Sequence, residues 1–132
     1  MTTWLISANP NMFDHDAAFR KWGYCDWIQF GSFKIGDIVY IYASKQYGYI
    51  KFKTEVVRNN MSFDEIDKDD SFWLDSHDLK RRQASYSRLR LIKRIEPNKL
   101  TLNKLRLNGL KNAPQCSKKL DGELLRFIQG NE

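Results

Sequence analysis

Apolar and polar residues alternate along several stretches of the chain, as they do in β-strands. The clearest alternation lies at 48–57, where Ile50, Phe52 and Val56 are separated by charged or polar residues. The run 38–42, Ile-Val-Tyr-Ile-Tyr, is β-branched or aromatic at every position, which is typical of a strand. Weaker patterns predict three further strands, at 4–8, 27–30 and 86–95.

Two segments have the 3.6-residue spacing of helices. The first covers 14–22, with Asp14 as its N-cap and Gly23 at its end. The second covers 120–128, where four apolar residues share one face. Between these two segments, the leucines of 100–107 fit neither period throughout, so strand and helix both remain open there.

These elements predict an α+β fold, a small, bent, mostly antiparallel β-barrel of five to six strands with two or three short helices at its rim. The strands do not alternate with crossover helices, which makes a doubly wound parallel sheet a poor fit. The length of 132 residues predicts one domain, 1–132. No apolar run approaches the ~18 residues of a membrane span, and the N-terminus lacks the basic start of a secretory signal. We therefore expect a cytoplasmic protein without membrane contact.

Charge is unevenly distributed along the chain, whose net charge is +6. Residues 80–132 carry 14 basic and 4 acidic side chains, whereas residues 62–79 carry 1 and 7. Such a basic segment favours a polyanionic partner, because neutralised phosphates release counterions; a solvated basic face without a partner is the alternative. Residues 1–52 hold 13 of the 18 aromatic side chains. A basic half joined to an aromatic-rich half is also what a reader of nucleotide bases requires.

Sequence motifs for catalysis and metal binding are absent. Both histidines stand beside aspartates, and no His-x-x-x-His or Cys-x-x-Cys spacing occurs, so a zinc site has little support. Nothing in the local sequence supports Cys25 and His77 as a nucleophile pair. The acidic residues of 64–70 lack the order of a calcium loop, and no phosphate-binding glycine motif is present. We expect a binding module without enzymatic activity, metal or cofactor.

The order of three motifs resembles the EVE domain of the PUA-like superfamily. They are Trp-Leu-Ile-Ser-Ala-Asn-Pro at 4–10, Gly-Asp-Ile-Val-Tyr-Ile-Tyr at 36–42 and Gly-Tyr-Ile at 48–50. The ending, Asn-Gly-Leu-Lys-Asn-Ala-Pro-Gln at 108–115 followed by the helix at 120–128, is also similar, so the resemblance covers nearly the whole chain. Its most specific element is the pairing of Asn-Pro after the first strand with Gly-Asp-Ile-Val-Tyr.

This resemblance implies a function. EVE domains, like the related YTH and SRA domains, hold a modified base in a concave pocket, and they occur beside restriction and other nucleic-acid-processing proteins. The resemblance therefore implies recognition of 5-methylcytosine, 5-hydroxymethylcytosine or N6-methyladenine flipped out of DNA. Such a domain would be the specificity module of a modification-dependent restriction system, with nuclease or NTPase activity in a separate domain or subunit.

A flipped base needs aromatic walls and polar groups for its edge. The resemblance places the walls after the first helix, at the sheet edge and in a later loop, and the edge contacts at the end of the first strand. The residues of these regions are Ser7, Ala8, Asn9, Trp22, Trp27, Tyr42, Tyr49 and Trp73. The alternative for the aromatic residues is a place in the hydrophobic core, and for Asn9 it is ordinary turn chemistry.

Phosphate contacts require cations and hydroxyls near the mouth of such a pocket. The basic, hydroxyl-rich segment 80–88 is the strongest candidate, and smaller basic groups lie on the first helix, after 38–42 and near the C-terminus. The residues assigned to the nucleic-acid backbone are Arg20, Lys21, Lys45, Arg81, Arg82, Ser85, Ser87, Arg88 and Lys111. The acidic segment 64–78 either faces away from nucleic acid or covers the pocket.

Two other classes of function remain open. An RNA-binding PUA-like module would gain affinity from 2′-hydroxyls. A protein-interaction or small-ligand domain would keep the fold without using the basic face, and its binding would respond little to salt.

Overall fold

The computed structural model describes residues 1–9, 13–28, 32–44, 47–67, 72, 83–114 and 117–132. Six strands form one sheet; they are β1 Thr3–Ala8, β2 Tyr24–Ile28, β3 Ile38–Ala43, β4 Tyr49–Met61, β5 Tyr86–Arg94 and β6 Lys118–Leu120. The described residues also form three α-helices, α1 His15–Trp22, α2 Leu102–Leu107 and α3 Gly122–Asn131, and a short 3-10 helix, Phe63–Glu65. None of these helices is long and apolar enough to cross a membrane.

The strand order in the sheet is β2-β5-β4-β3-β1-β6. β1 and β3 are parallel, and the other four pairs are antiparallel. Although three strands separate β1 from β2, residues of both line one pocket. The sheet is therefore curled into a half-barrel, and the predicted α+β fold with a bent, mostly antiparallel sheet is confirmed.

Two hydrophobic cores lie on opposite faces of this sheet. Successive side chains of β3 alternate between them, because neighbouring residues of a strand point to opposite faces. The first core contains Ile6, Phe19, Val39, Ile41, Phe52 and Val56, among others. The second core contains Leu5, Tyr40, Tyr42, Ile50, Leu105 and Ile128, among others. Helix α1 covers the first core, and α2 and α3 cover the second.

The ends of α1 follow the sequence prediction. The Asp14 carboxylate accepts a hydrogen bond from the Ala17 amide at 3.0 Å, which satisfies one of the open amides of the first turn. Gly23 ends the helix with a left-handed backbone, φ 77°, which glycine adopts without steric cost.

Other boundaries differ from the predictions. The segment 100–107, left open between strand and helix, contains helix α2. Leu120 does not start the last helix; it ends β6, whose three residues pair with β1. β2 starts three residues before the predicted 27–30. A strand as short as β6 has no periodicity of its own and exists only through its pairing.

Asp37 fixes the turn that leads into β3. Its buried carboxylate accepts hydrogen bonds from the Thr2 amide at 2.9 Å, the Trp4 indole at 3.0 Å and the Lys34 amide at 3.0 Å. Burial alone would raise the pKa of Asp37, but these hydrogen bonds together lower it. The turn and the start of β1 are thus held to one ionised side chain.

We predict that Asp37 contributes to acid sensitivity. Because its pKa is lowered in the folded state, its stabilisation is present above the unfolded pKa and is lost as the pH falls through the folded pKa. Asp37→Asn should reduce the free energy of unfolding by about 1–3 kcal/mol at pH 7 and flatten its fall between pH 5 and pH 2. Urea denaturation across this range measures both effects. The control is Asp121→Asn, an exposed N-cap without a side-chain cap hydrogen bond; an equal effect of both changes would contradict the prediction.

Candidate functional site

A pocket opens where the end of β1 meets the start of α1, β2 and the start of β5. Its cavity volume is about 240 Å³. The residues that line it are Ser7, Ala8, Asn9, Phe13, His15, Cys25, Asp26, Trp27, Ile28 and Tyr86. We call it the β1–β2 pocket. It belongs to the first-core face of the sheet, because Ala8, Cys25 and Trp27 are also members of that core.

Aromatic rings form one wall of the β1–β2 pocket. The His15 imidazole stacks on the Trp27 indole, with ring centroids 4.4 Å apart and an interplanar angle of 23°. Phe13 contacts the same imidazole, with centroids 4.9 Å apart. The Asp14 amide donates to the carbonyl of Phe72 at 2.7 Å, which ties the start of α1 to that residue. The cap of α1 therefore determines where His15 and Phe13 stand.

His15 is neutral at physiological pH. Burial, followed by the nearby positive charge of Lys51, lowers its pKa from 6.5 to about 3, although Asp16 opposes the shift. Among the described residues, no group forms a hydrogen bond with the imidazole nitrogens, so stacking holds this ring in place.

A second cavity adjoins the first at His15. Its volume is about 160 Å³, and it shares Ala8, Phe13 and His15 with the β1–β2 pocket. Lys51 lines this adjoining cavity and pairs with Asp16 at 2.8 Å. The His15 ring therefore stands between an aromatic pocket and a charged one.

Four of the residues predicted for a base pocket lie together in the β1–β2 pocket. They are Ser7, Ala8, Asn9 and Trp27. The Ala8 carbonyl accepts hydrogen bonds from both the amide and the hydroxyl of Ser44, at 3.0 and 2.8 Å, which anchors the end of β1 to the end of β3. Trp27 is only 7% exposed and serves both the core and the pocket.

Three predicted aromatic residues lie elsewhere. Tyr42 belongs to the second core, on the other face of the sheet, because it has the opposite parity to Ile41 on β3. Tyr49 is buried and contacts Tyr47 edge to face. Trp22 stacks on Tyr24 at the far end of α1, seven residues or about 10 Å of helix rise from His15. Trp73 lies outside the described residues.

Two predicted phosphate contacts are engaged inside the protein. Ser87 is fully buried, and its hydroxyl donates to the side chain of Asn59 at 2.6 Å. Arg88 binds Asp26 through two hydrogen bonds, at 2.8 and 3.0 Å, and also pairs with Asp67 at 3.2 Å. Its guanidinium lies 4.0 Å from the centre of the Tyr24 ring. Their partners, Asn59 of β4 and Asp26 of β2, stand on the two strands that flank β5, so neither side chain is available to a phosphate.

The other predicted backbone contacts that fall within the described ranges are exposed but scattered. Arg20 and Lys21 lie in the last turn of α1, and Ser85 directly precedes Tyr86 of the pocket wall. Lys111 follows Leu110 of the second core and thus lies on the side of the sheet away from the pocket. Lys45, Arg81 and Arg82 lie outside the described residues, as do 68–71 and 73–78 of the acidic segment.

Sequence reasoning missed several lining residues, above all Phe13 and His15. His15 stands between two aspartates in the sequence and was not assigned to a site, whereas in the structure Asp14 caps the helix and His15 lines the pocket. A usable signal was present, since an aromatic residue and a histidine flank an N-cap that closely follows the first strand. Cys25 and Asp26 were missed because β2 begins earlier than predicted. Ile28 lies within the predicted strand but was not assigned to the pocket.

Two reactive side chains that line the pocket, those of Cys25 and Asp26, are not free to react. Burial raises the pKa of the Cys25 thiol far above its ordinary range, so the thiolate needed for nucleophilic attack is not formed. The Asp26 carboxylate already accepts hydrogen bonds from Arg88 and the Asp67 amide. Within the described part of the chain, no group of three or more histidine, cysteine or acidic side chains could hold a metal ion. What the pocket offers a ligand is an aromatic wall and short polar side chains.

Comparison with solved structures places this fold among known ones. The chain is similar to the ASCH protein of Zymomonas mobilis, with 13% identity, a TM-score of 0.67 and coverage of 97% of this chain and 94% of that one. It is also similar to a hypothetical protein from Leishmania major, with 17% identity, a TM-score of 0.66 and coverage of 98% and 93%. Human THYN1, in complex with DNA containing 5-methylcytosine, has 13% identity, a TM-score of 0.63 and coverage of 98% and 96%.

These similarities establish the fold class. No protein-family model matches the chain, and no curated protein sequence is significantly similar to it. At identities below 20% the structural matches define the architecture, a small α+β fold of the PUA-like type, over nearly the full length of each chain. The EVE-like motifs thus led to the correct fold.

We predict that Arg88 is required for the folded state. The Asp26 side chain is 2% exposed, so removing its partner would leave a buried, uncompensated carboxylate. Arg88→Ala should lower the free energy of unfolding by about 3 kcal/mol, measured by urea denaturation. Arg90→Ala, on the same strand, is the matched control, because its pair with Glu55 is largely exposed and should contribute about 0–1 kcal/mol. Equal losses in both variants would contradict this role.

Proposed function

We propose that the protein binds DNA and holds one modified base, flipped out of the duplex, in the β1–β2 pocket. One observation carries the proposal: the stacked rings of Trp27 and His15 line the same pocket as Ser7 of β1 and Asn9, which directly follows β1. The complex of human THYN1 with DNA containing 5-methylcytosine supports it, because that protein has the same fold.

The size of the pocket suits a single base. Pockets for drug-sized ligands have volumes of roughly 300–1,000 Å³. At about 240 Å³, the β1–β2 pocket lies just below that range, which favours a single planar ring system over a nucleotide chain. Its polar side chains supply both donors and acceptors, since a serine hydroxyl and an asparagine amide each provide both.

The energetics of base flipping require the aromatic wall. Taking a base out of the stack costs a few kcal/mol, and stacking it on an aromatic side chain returns roughly 1–3 kcal/mol. Stacking on one aromatic face, together with hydrogen bonds to the base edge, thus offsets most of the free-energy cost of flipping. In the described part of the chain the Trp27 indole N–H donates to no other group, so it could also serve a bound base.

Electrostatic attraction would supply the sequence-independent part of the affinity. The chain carries a net charge of +6, and Arg20 and Lys21 are exposed on the helix that bears His15. Many of the other cations form ion pairs within the protein, among them Lys51, Lys53, Arg58, Arg88, Arg90 and Arg94. We therefore expect a modest salt dependence, less steep than the full charge would give.

A binding role without catalysis completes the proposal. The protonated Cys25 thiol and the occupied Asp26 carboxylate leave the pocket without a nucleophile or a free general base among these two residues. We assign the protein to the specificity module of a modification-dependent restriction system, as its EVE-like motifs imply, with nuclease or NTPase activity in a separate domain or subunit. Among the candidate bases, 5-methylcytosine is favoured by the THYN1 complex.

The proposal predicts a preference for modified DNA. In a fluorescence-anisotropy titration at fixed salt, a duplex with one 5-methylcytosine should bind at least about tenfold more tightly than its unmodified counterpart, or about 1.4 kcal/mol. Duplexes with 5-hydroxymethylcytosine or N6-methyladenine and an RNA duplex complete the panel. Equal affinity for all DNA duplexes would contradict the proposal, and the tightest binding to RNA would favour an RNA-binding module.

Trp27 should be responsible for that preference. Trp27→Phe keeps an aromatic residue in the core but reduces the stacking surface, so it should lower the affinity for the modified duplex by about 3- to 10-fold. Trp22→Phe is the matched control, since Trp22 is half-buried in an aromatic contact outside the pocket. Circular dichroism melts confirm folding of both variants. An unchanged preference in Trp27→Phe, or an equal loss in Trp22→Phe, would exclude this pocket as the base site.

A further inference from the structure

We infer that the base stacks on the face of Trp27 that the His15 imidazole now covers, so that base binding displaces His15. The inference rests on the proposed function and adds the residue that competes with the ligand. In the free protein, the His15 imidazole covers the face of the Trp27 ring on which the base would stack.

The geometry leaves no room for a base between the two rings. Carbon atoms in contact are separated by about 3.5–4.0 Å, so a ring inserted between Trp27 and His15 would need their planes about 7–8 Å apart. Their centroids are 4.4 Å apart at an angle of 23°. The Phe13 ring, with its centroid 4.9 Å from that of His15, leaves no space on its side either. A base can therefore reach the Trp27 face only when the imidazole moves.

His15 is held in a way that permits this movement. It is the first residue of α1, so a rotation of its side chain leaves the helix intact. Among the described residues, no hydrogen bond to the ring nitrogens must be broken. The adjoining cavity of about 160 Å³, which His15 also lines, provides space for the displaced ring. Asp16 and Lys51, which pair with each other, also line that cavity, so an imidazolium there would face both a carboxylate and an ammonium group.

Displacement couples base binding to protonation. While His15 is stacked, burial and the charge of Lys51 lower its pKa to about 3, so the ring is neutral at pH 5.5. Once the ring is displaced and solvated, its pKa returns towards about 6.5. Protons then favour the displaced, binding-competent form at pH values below about 6.5, and linkage gives up to about a tenfold gain in affinity between pH 7.5 and pH 5.5.

The groups around His15 would not produce the same effect. Carboxylates, ammonium groups, phenols and a buried thiol ordinarily keep the same protonation state between pH 5.5 and pH 7.5. The titratable and charged side chains that line the two cavities with His15 are Asp14, Asp16, Cys25, Asp26, Tyr47, Lys51 and Tyr86. Arg94 pairs with Asp16 at 3.1 Å.

The inference is tested by whether His15→Ala raises or lowers the affinity for modified DNA. The full chain is titrated with the 5-methylcytosine duplex and its unmodified counterpart at pH 5.5, 6.5 and 7.5 at constant ionic strength. We expect His15→Ala to bind the modified duplex about 3- to 10-fold more tightly than the wild type at pH 7.5, and to lose the pH dependence. His15→Phe, whose ring still covers Trp27 but cannot be protonated, should bind more weakly than His15→Ala and show a flat pH profile.

Control measurements separate this inference from the proposed function. His77→Ala, at the other histidine of the chain, should keep the wild-type pH dependence. If the wild type prefers modified DNA but His15→Ala binds it more weakly, His15 contacts the base and the displacement is refuted. A pH dependence that survives in His15→Ala also refutes it. If the wild type shows no preference at any pH, the proposed function and this inference both fail.

Discussion

The burial of the central strands on both faces is the constraint on which the rest of the structure depends. β3 sends Val39 and Ile41 into one core and Tyr40 and Tyr42 into the other, so the sheet must be covered on both sides. With only three short helices among the described residues to cover it, the sheet curls, and its edge strand β2 approaches the end of β1. The β1–β2 pocket is the gap that remains where these strands meet the start of α1.

The same constraint explains which parts of the fold could be predicted from sequence. The strands at β3 and β4 and both ends of α1 are encoded locally, by β-branched runs, alternation, an N-cap and a C-terminal glycine. β6 could not be predicted, because Lys118–Leu120 becomes a strand only by pairing with β1. The face occupied by each aromatic residue of β3 was equally hidden, since every position of 38–42 is apolar or aromatic.

Half of the predicted pocket residues lie in the β1–β2 pocket, and the position of three of them follows from the order of elements along the chain. Ser7, Ala8 and Asn9 stand where the first strand ends, and that position is fixed by the chain order of the elements. Tyr42 lies on the other face of the sheet because parity on a strand, and not proximity in sequence, decides which face a side chain occupies. Arg88, which was assigned to the nucleic-acid backbone, pairs with a carboxylate of the same molecule, and so do Arg90 and Arg94 of the same strand. Net charge therefore overstates the surface available to phosphates.

The central claim, a base held against Trp27, is tested most directly by following the four tryptophan indole N–H signals in an NMR spectrum of the ¹⁵N-labelled protein. The duplex with one 5-methylcytosine and its unmodified counterpart are each added at equal salt. The account predicts that the Trp27 signal shifts strongly and selectively with the modified duplex, while the Trp22 signal stays close to its free position. A modified duplex that leaves Trp27 unperturbed, or shifts it no more than the unmodified duplex does, would contradict the account.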